Sequence, residues 1–374
     1  MKTIRKLTRL LLCFILALGL SIMSGCGSTD TEKKEEAVQA DNAVNAEDYS
    51  ITDLHLHLDG SISIESAREL AKMQEITVPE SDEELQSQLH VGEDCESLNE
   101  YLEKFDLPVS LLQTEEAIST AVYNLEKELQ ELGLIYAEIR FAPQKHMENG
   151  LTQAEVVEAA IDGMNKCDFR SNLILCCMRG DDNQEQNLET VHVAKKYLGK
   201  GVAAIDLAGA EALYPTKDFE DIFALADQLE LPRTIHAGEA DGPSSVYDAL
   251  SFGAKRIGHG IRSIEDEELV KTLSQDGIAL ELCPTSNLNT QIFESLNDYP
   301  LEALMEAGVK VTINSDNMSV SGTNAPKELK LLFDTFELSE DQMKTIAETS
   351  IEVSFADDET KNWLYTELEN RIKK

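Results

Sequence analysis

The chain has little with which to build a disulfide scaffold and little positive charge with which to grip nucleic acid. Of its seven cysteines, Cys13 and Cys26 lie near the start, and Cys95, Cys167, Cys176, Cys177 and Cys283 remain. That odd set without paired spacing is no disulfide framework. Without a Cys-x-x-Cys, a thiolate zinc site is not expected either. Cys176 and Cys177 fall in an apolar run and read as core residues. Lys and Arg number 32 against 70 Asp and Glu, a formal charge of −38. Such a chain does not bind nucleic acid or an anionic bilayer electrostatically. The apolar run 10–23 is 14 residues long, short of the about 20 needed to span a membrane. After residue 50 no low-complexity linker or short repeat divides the chain. No Gly-x-Gly-x-x-Gly opens the first strand–helix unit, which removes the usual dinucleotide fingerprint.

What stands at the start is a sorting signal. Lys2, Arg5, Lys6 and Arg9 precede the apolar run, and Ser24-Gly25-Cys26 follows it. A basic start, a short apolar stretch and small residues describe an export signal over 1–25. The residues before Cys26 are similar to a bacterial lipobox, with Met23 where leucine is commoner. That resemblance implies that the Cys26 thiol is acylated after cleavage, giving an exported, extracytoplasmic lipoprotein anchored to the cell membrane. An uncleaved anchor and a plain secretory signal are the alternatives. Residues 26–49 are acidic and almost free of large apolar side chains, so burial cannot offset their ordering entropy. They are expected to be a disordered tether, with one catalytic domain over 50–374.

The rest of the chain alternates between two periods. Short apolar runs at 51–57, 134–141, 172–178, 202–207, 233–236, 256–257, 278–282 and 309–313 read as strands. Amphipathic stretches between them, at 114–132, 152–169, 184–198, 218–229, 265–275 and 301–307, read as helices. Thr152 and Asp218 are expected N-caps, and Gly133, Gly277 and Gly308 close helices. Strand and helix repeated eight times predict an α/β fold, a (β/α)8 TIM barrel with a doubly wound open sheet as the alternative. A barrel places catalytic groups at the C-terminal ends of its strands. Polar clusters fall there: His55 and His57, then 236–239, 258–260 and 315–317. Four of the seven histidines belong to them, while His90, His146 and His192 are expected at the surface.

Asp53-Leu54-His55-Leu56-His57-Leu58-Asp59-Gly60 alternates strictly, which puts His55 and His57 on one face of a strand. Two imidazoles that close, joined by His236 and Asp316, form a three-His, one-carboxylate set suited to zinc with room for a water. His259, between two glycines, is placed to take a proton or to steady an attacking oxygen. Glu239, past Gly238, is placed as a general acid.

Eight pieces in order resemble the adenosine deaminase family of metal-dependent barrel hydrolases. They are His-Leu-His-Leu-Asp-Gly (55–60), Ile-Arg-Phe-Ala-Pro (139–143), Ile-Leu-Cys-Cys-Met-Arg (174–179) and Asp-Leu-Ala-Gly-Ala-Glu (206–211). His-Ala-Gly-Glu (236–239), Arg-Ile-Gly-His-Gly (256–260), Glu-Leu-Cys-Pro-Thr-Ser-Asn (281–287) and Ile-Asn-Ser-Asp (313–316) complete the series. The cytidine-type zinc deaminases carry Pro-Cys-x-x-Cys, which is absent here.

The resemblance implies one Zn2+ per chain, held by His55, His57, His236 and Asp316, with His57 also facing the substrate. It implies that Glu239 protonates purine N1 while His259 and Asp316 orient the hydroxide that attacks C6. Loss of ammonia from adenosine or deoxyadenosine then leaves inosine. The backbone of Gly209 would contact N3 and Asp59 the ribose 5′-hydroxyl, with Tyr101, Leu102 and Phe105 as an apolar gate. One position departs from the pattern. Where the family usually reads Asp-Asp-Pro, this chain reads Asp316-Asn317-Met318. The second acid normally meets N7, an acceptor, so it must be protonated there; Asn317 donates without that requirement. Deamination of adenine or another aminopurine, and nucleoside binding without turnover, are the other readings.

Overall fold

All eight apolar runs form strands in the computed structural model, which describes residues 44–92 and 95–373. They are β1 Thr52–His57, β2 Tyr136–Phe141, β3 Arg170–Met178 and β4 Val202–Ala208. The second half supplies β5 Thr234–Ala237, β6 Arg256–His259, β7 Ala279–Leu282 and β8 Lys310–Ile313. All pairs are parallel and follow chain order within two runs of four, β1 to β4 and β5 to β8. Single bridges join the runs at both seams. At one, Ile205 N–H donates to Pro232 O at 3.0 Å. At the other, His57 N–H donates to Asp316 O and Asp316 N–H to His55 O, each at 2.8 Å. The sheet therefore closes as the expected barrel.

The period of two along the strands sorts side chains by chemistry. Leu54, Leu56, Ile139, Phe141, Ile205, Leu207, Leu280 and Leu282 belong to one apolar cluster shared with the surrounding helices. The alternate positions Asp53, His55, Glu138, Arg140, Asp206 and Glu281 are buried too, yet polar. So the barrel is apolar outside, under its helices, and ion-paired inside.

The helices follow from their caps. Thr114 accepts from Ala117 N–H before the helix Glu115–Glu131, and Thr152 forms a capping box with Glu155 before Gln153–Met164. Gly277, at φ +65°, ends Glu267–Asp276 in the left-handed conformation that glycine adopts without strain. Asp218 is not a cap. It lies inside a 3-10 turn, Thr216–Phe219, and the α-helix starts at Glu220. Two sets of helices stand outside the eightfold rhythm. Ile64–Met73, Asp82–Leu89, Leu98–Leu102 and Asp106–Ser110 lie between β1 and β2. Ala325–Phe336, Glu340–Val353 and Asp358–Ile372 follow β8, and the second of these packs on β8 and β1 beside the seam.

The boundary of the ordered region needs correcting. Residues 44–49, assigned from sequence to the tether, hold a 3-10 helix, Ala46–Tyr49, with both of its end residues buried. It packs on the helices Ala325–Phe336 and Asp358–Ile372. Ala46 and Tyr49 supply the apolar surface that the composition of this acidic stretch concealed. The expected export signal, Cys26 and the remainder of the expected tether lie outside the described residues. Among the described residues no helix is long and apolar enough to cross a membrane, and Cys176, Cys177 and Cys283 are buried thiols without a disulfide.

Candidate active site

At the C-terminal end of the barrel, the ends of β1 and β5 and the turn after β8 aim four donors at one point. One ligand atom from each of His55, His57, His236 and Asp316 lies within 4.8 Å of the others. His57 Nε2 is 3.3 Å from His236 Nε2, and Asp316 Oδ1 is 3.4 Å from the Nε2 atoms of both His55 and His57. His55 Nε2 is buried without a hydrogen-bond partner. A buried imidazole nitrogen facing two others and a carboxylate is poorly satisfied by protein alone and well satisfied by a cation. The donor set fits a divalent ion of zinc's preferences, three nitrogens and a carboxylate oxygen.

The atoms behind the donors are fixed as well. His55 Nδ1 meets Glu281 Oε2 and His236 Nδ1 meets Asp206 Oδ2, both at 2.8 Å. Such partners orient a ligating ring and keep Nε2 as the coordinating nitrogen. The two carboxylates are themselves clamped. Arg140 reaches Asp206 at 2.8 Å and Glu281 at 2.9 Å, and Arg256 reaches Glu281 at 2.6 Å and Glu138 at 2.5 Å. Burial alone would raise the pKa of Glu281, but Arg140 and Arg256 hold it well below the usual carboxylate range. Burial opposes ionisation of Asp316 too, and the neighbouring imidazoles of His55, His259 and His57 overcome it. Burial depresses His57 and His236, which favours the neutral, ligating form.

Glu239 is the exception among these acids. Burial, then the charges of Asp316 and Glu211, raise its pKa well above the ordinary value. Its loop hangs from a single carboxylate. Glu211 accepts backbone N–H bonds from Gly238, Glu239, Ala240 and Asp241 at 2.7–3.0 Å, and Ser245 Oγ at 2.5 Å. His259 Nε2 lies 3.7 Å from Glu239 Oε2. Two non-glycine residues here have left-handed backbones, His259 at φ +57° and Asp316 at φ +61°. That conformation is costly for residues with a Cβ and concentrates where function needs it.

These groups face one cavity of about 470 Å³. His57, Glu239, His259 and Asp316 line it, as do Asp59, Gly209 and Asn317. Tyr101, Leu102 and Phe105 come from the short helices after β1 and stand over the same cavity, where the sequence placed a gate. Ala142, Cys176, Met178 and Ala208 give it an apolar wall. Gly209 has φ +109°, which favours glycine. Asn317 packs tightly on Gly60, where a Cβ would meet Asn317 Oδ1 at 1.8 Å. That Oδ1 is buried without a hydrogen-bond partner, so the amide has capacity left for a ligand. Burial raises Asp59 to about 6.

Among the described residues, the structure thus brings together every site residue named from the sequence. It adds a layer that motif reading missed: Glu281, Asp206, Arg140, Arg256, Glu138 and Glu211. The available signal was charge at alternate positions inside buried strands, as in Glu138 and Arg140 of β2. Of the three histidines expected at the surface, His192 is exposed, His90 is half-buried, and His146 is buried beside Phe141.

The family model described as adenosine deaminase matches residues 51–371. The adenosine deaminase of Haemophilus ducreyi is 48% identical over 332 residues, 86% of this chain and 96% of that protein. That of Enterococcus faecalis is 40% identical over 322 residues, 85% and 95% of the two chains. The crystal structure of an adenine deaminase from Arthrobacter aurescens superposes with a TM-score of 0.78 at 28% identity, covering 87% and 99%.

The contact behind His236 yields a test. Asp206→Asn keeps the shape but removes the charge that orients the ring and pairs with Arg140. Zinc affinity of the metal-depleted protein, read by calorimetric titration, is expected to fall roughly 10–100-fold. Unchanged affinity in a folded variant would show that the contact does not serve the donor cluster.

Proposed function

The chain belongs to the adenosine deaminase family, and from that premise we propose the reaction its barrel end performs. It is the hydrolytic deamination of adenosine, and of deoxyadenosine, to inosine with release of ammonia. The observation that carries this reading is the convergence of four metal-type donors with the acid Glu239 and the imidazole of His259 at one cavity.

His55, His57, His236 and Asp316 would hold the cation, and three imidazoles with one carboxylate favour zinc. When bound, zinc acts as a Lewis acid that makes a coordinated water acidic near neutral pH. The chain's own groups do the rest. Burial and flanking negative charge raise the pKa of Glu239, which favours the form that carries a proton. It gives that proton to purine N1 as C6 is attacked, so negative charge does not build up on the ring. His259 and Asp316 face the attacking oxygen and fix its approach. The backbone at Gly209 meets N3, Asp59 holds the ribose 5′-hydroxyl, and Tyr101, Leu102 and Phe105 exclude bulk water. One water is consumed and one ammonia leaves.

We propose further that residues 1–25 direct export and that acylated Cys26 anchors the enzyme outside the cell membrane. The basic start, the short apolar run and the small residues before Cys26 support this, and acyl chains supply the membrane affinity. Cys26→Ser is expected to move the protein from the membrane to the soluble fraction. Its retention on membranes would count against the anchor.

The reaction itself is tested by following the ultraviolet spectrum of adenosine with the metal-loaded protein. Glu239→Gln should keep its zinc and lose roughly 10²-fold or more in turnover, the scale of a positioned acid. Undiminished turnover would remove Glu239 from the mechanism.

Asn317 makes a sharper claim, that a neutral amide donates to N7. Replacing N7 by carbon, as in 7-deazaadenosine, should weaken binding by about 1–3 kcal/mol, the cost of an unsatisfied buried donor. Asn317→Asp should make binding depend on protonation of the new acid, and Asn317→Leu should weaken it at every pH. Equal affinity of the wild type for both ligands would show that Asn317 does not read N7. A different aminopurine would then become the better substrate candidate.

A further inference from the structure

His259 presents Nε2 to the cavity, and what that atom can do depends on which ring nitrogen carries the proton. A bare Nε2 is a base, whereas a protonated Nε2 is a donor that can steady an oxygen. The deciding contacts lie behind the ring. His259 Nδ1 is 3.1 Å from Asn287 Nδ2, and Asn287 Oδ1 is 3.1 Å from the hydroxyl of Tyr299. Asn287 stands on the helix Pro284–Asn289 directly after β7, and Tyr299 follows the 3-10 turn Leu296–Asp298. Asn287 is fully buried, Tyr299 is 2% exposed and packs on Phe293, and neither lines the cavity.

An amide flipped by 180° would present Oδ1 to the ring and reverse the tautomer, so the amide needs something to orient it. Tyr299 breaks the tie. Among the described residues its hydroxyl has one hydrogen-bond partner, Asn287. If Asn287 turns Oδ1 towards it, the hydroxyl donates and its proton is satisfied. With Nδ2 turned towards it, the hydroxyl can only accept, and a buried O–H is left without a partner. Orphaning a buried donor is the costlier arrangement. The orientation with Oδ1 on Tyr299 therefore wins, and Nδ2–H points at His259 Nδ1. A nitrogen that accepts a hydrogen bond carries no proton, so the proton of the neutral ring sits on Nε2.

We propose that Tyr299 and Asn287 are positioning residues that lock His259 in the Nε2–H tautomer, making it a hydrogen-bond donor to the attacking oxygen and not its base. The catalytic consequence rests on the reading of His259 given above; the tautomer assignment does not.

The test is 15N NMR of the metal-loaded protein labelled at histidine, with His259→Gln to assign the ring. The wild type is expected to show His259 with Nδ1 bare and Nε2 protonated. Asn287→Asp replaces the donor by an acceptor. It should place a proton on Nδ1, as the opposite tautomer or as imidazolium, and cut kcat roughly 10²-fold, the scale for a lost transition-state donor. KM should stay within about twofold, because neither residue touches the cavity. Tyr299→Phe frees the amide to flip, so it should give a mixture of tautomers and a smaller loss in kcat. A wild-type ring protonated at Nδ1 would overturn the proposal, even if Asn287→Asp failed to fold. So would an Asn287→Asp variant with unchanged ring signals. A wild type that leaves adenosine untouched would sink the functional reading instead, while the spectra would still report the tautomer.

Discussion

One carboxylate bears the geometry of the whole barrel end. Glu281, fully buried on β7, is shared by His55 Nδ1 at 2.8 Å, Arg140 at 2.9 Å, Arg256 at 2.6 Å and Thr234 Oγ1 at 2.8 Å. Those four groups come from β1, β2, β6 and β5, so one side chain ties together strands from both runs of the sheet. A buried ionic network is weak evidence of net stability, because desolvation cancels much of the attraction. Its geometry is another matter. With Glu281 removed, two guanidinium groups would stay buried and under-compensated, a loss on the order of 3–5 kcal/mol. His55 would also lose the contact that points Nε2 at the donor cluster. Many TIM barrels fill this space with branched apolar layers; here the core is built from charges that orient the layer above them.

The same logic explains the strain. His259 and Asp316 could be more comfortable with ordinary backbone angles, yet both sit at positive φ where their strands end. Asp316 is held from both sides, donating to His55 O and accepting from His57 N–H across the β8–β1 seam. The barrel is thus closed by a candidate ligand residue. Closure and donor geometry are one feature, and local cost is tolerated because the surrounding ladder leaves the chain no alternative.

What could be read from the sequence was what is local. The pair His55 and His57 shows itself through a period of two, and all eight strands appear as apolar runs within a residue or two of where they form. Asp218 failed as a cap because a 3-10 turn intervened, a distinction of hydrogen-bond pattern that residue type does not carry. The order of residues 46–49 is not legible locally because the helices they pack on, Ala325–Phe336 and Asp358–Ile372, lie at the far end of the chain. Glu281, Arg140, Arg256 and Asp206 were written inside motif pieces, but their roles exist only between strands. No spacing along the chain announces that Arg140 bridges β4 and β7. Pairing of buried charges is a property of the closed barrel, and it becomes legible only there.

Two carboxylates in one cavity are then driven in opposite directions. Asp316 sits among imidazoles that push its pKa down, while burial, then Asp316 and Glu211, push that of Glu239 up. Separating the two is what lets one acid work as an anion and the other as a proton donor at the same pH. Glu211 contributes to that separation, after burial and Asp316. Its carboxylate collects four backbone N–H groups of the Glu239 loop, and this fixes the position of the acid. Its negative charge also adds to the field that keeps Glu239 neutral. A neutral donor in its place could not hold the loop, since four N–H groups need an acceptor, and it would remove one of the two charges that add to burial at Glu239. A single buried anion therefore sets the place of the proposed general acid and adds to the upward shift that burial gives it.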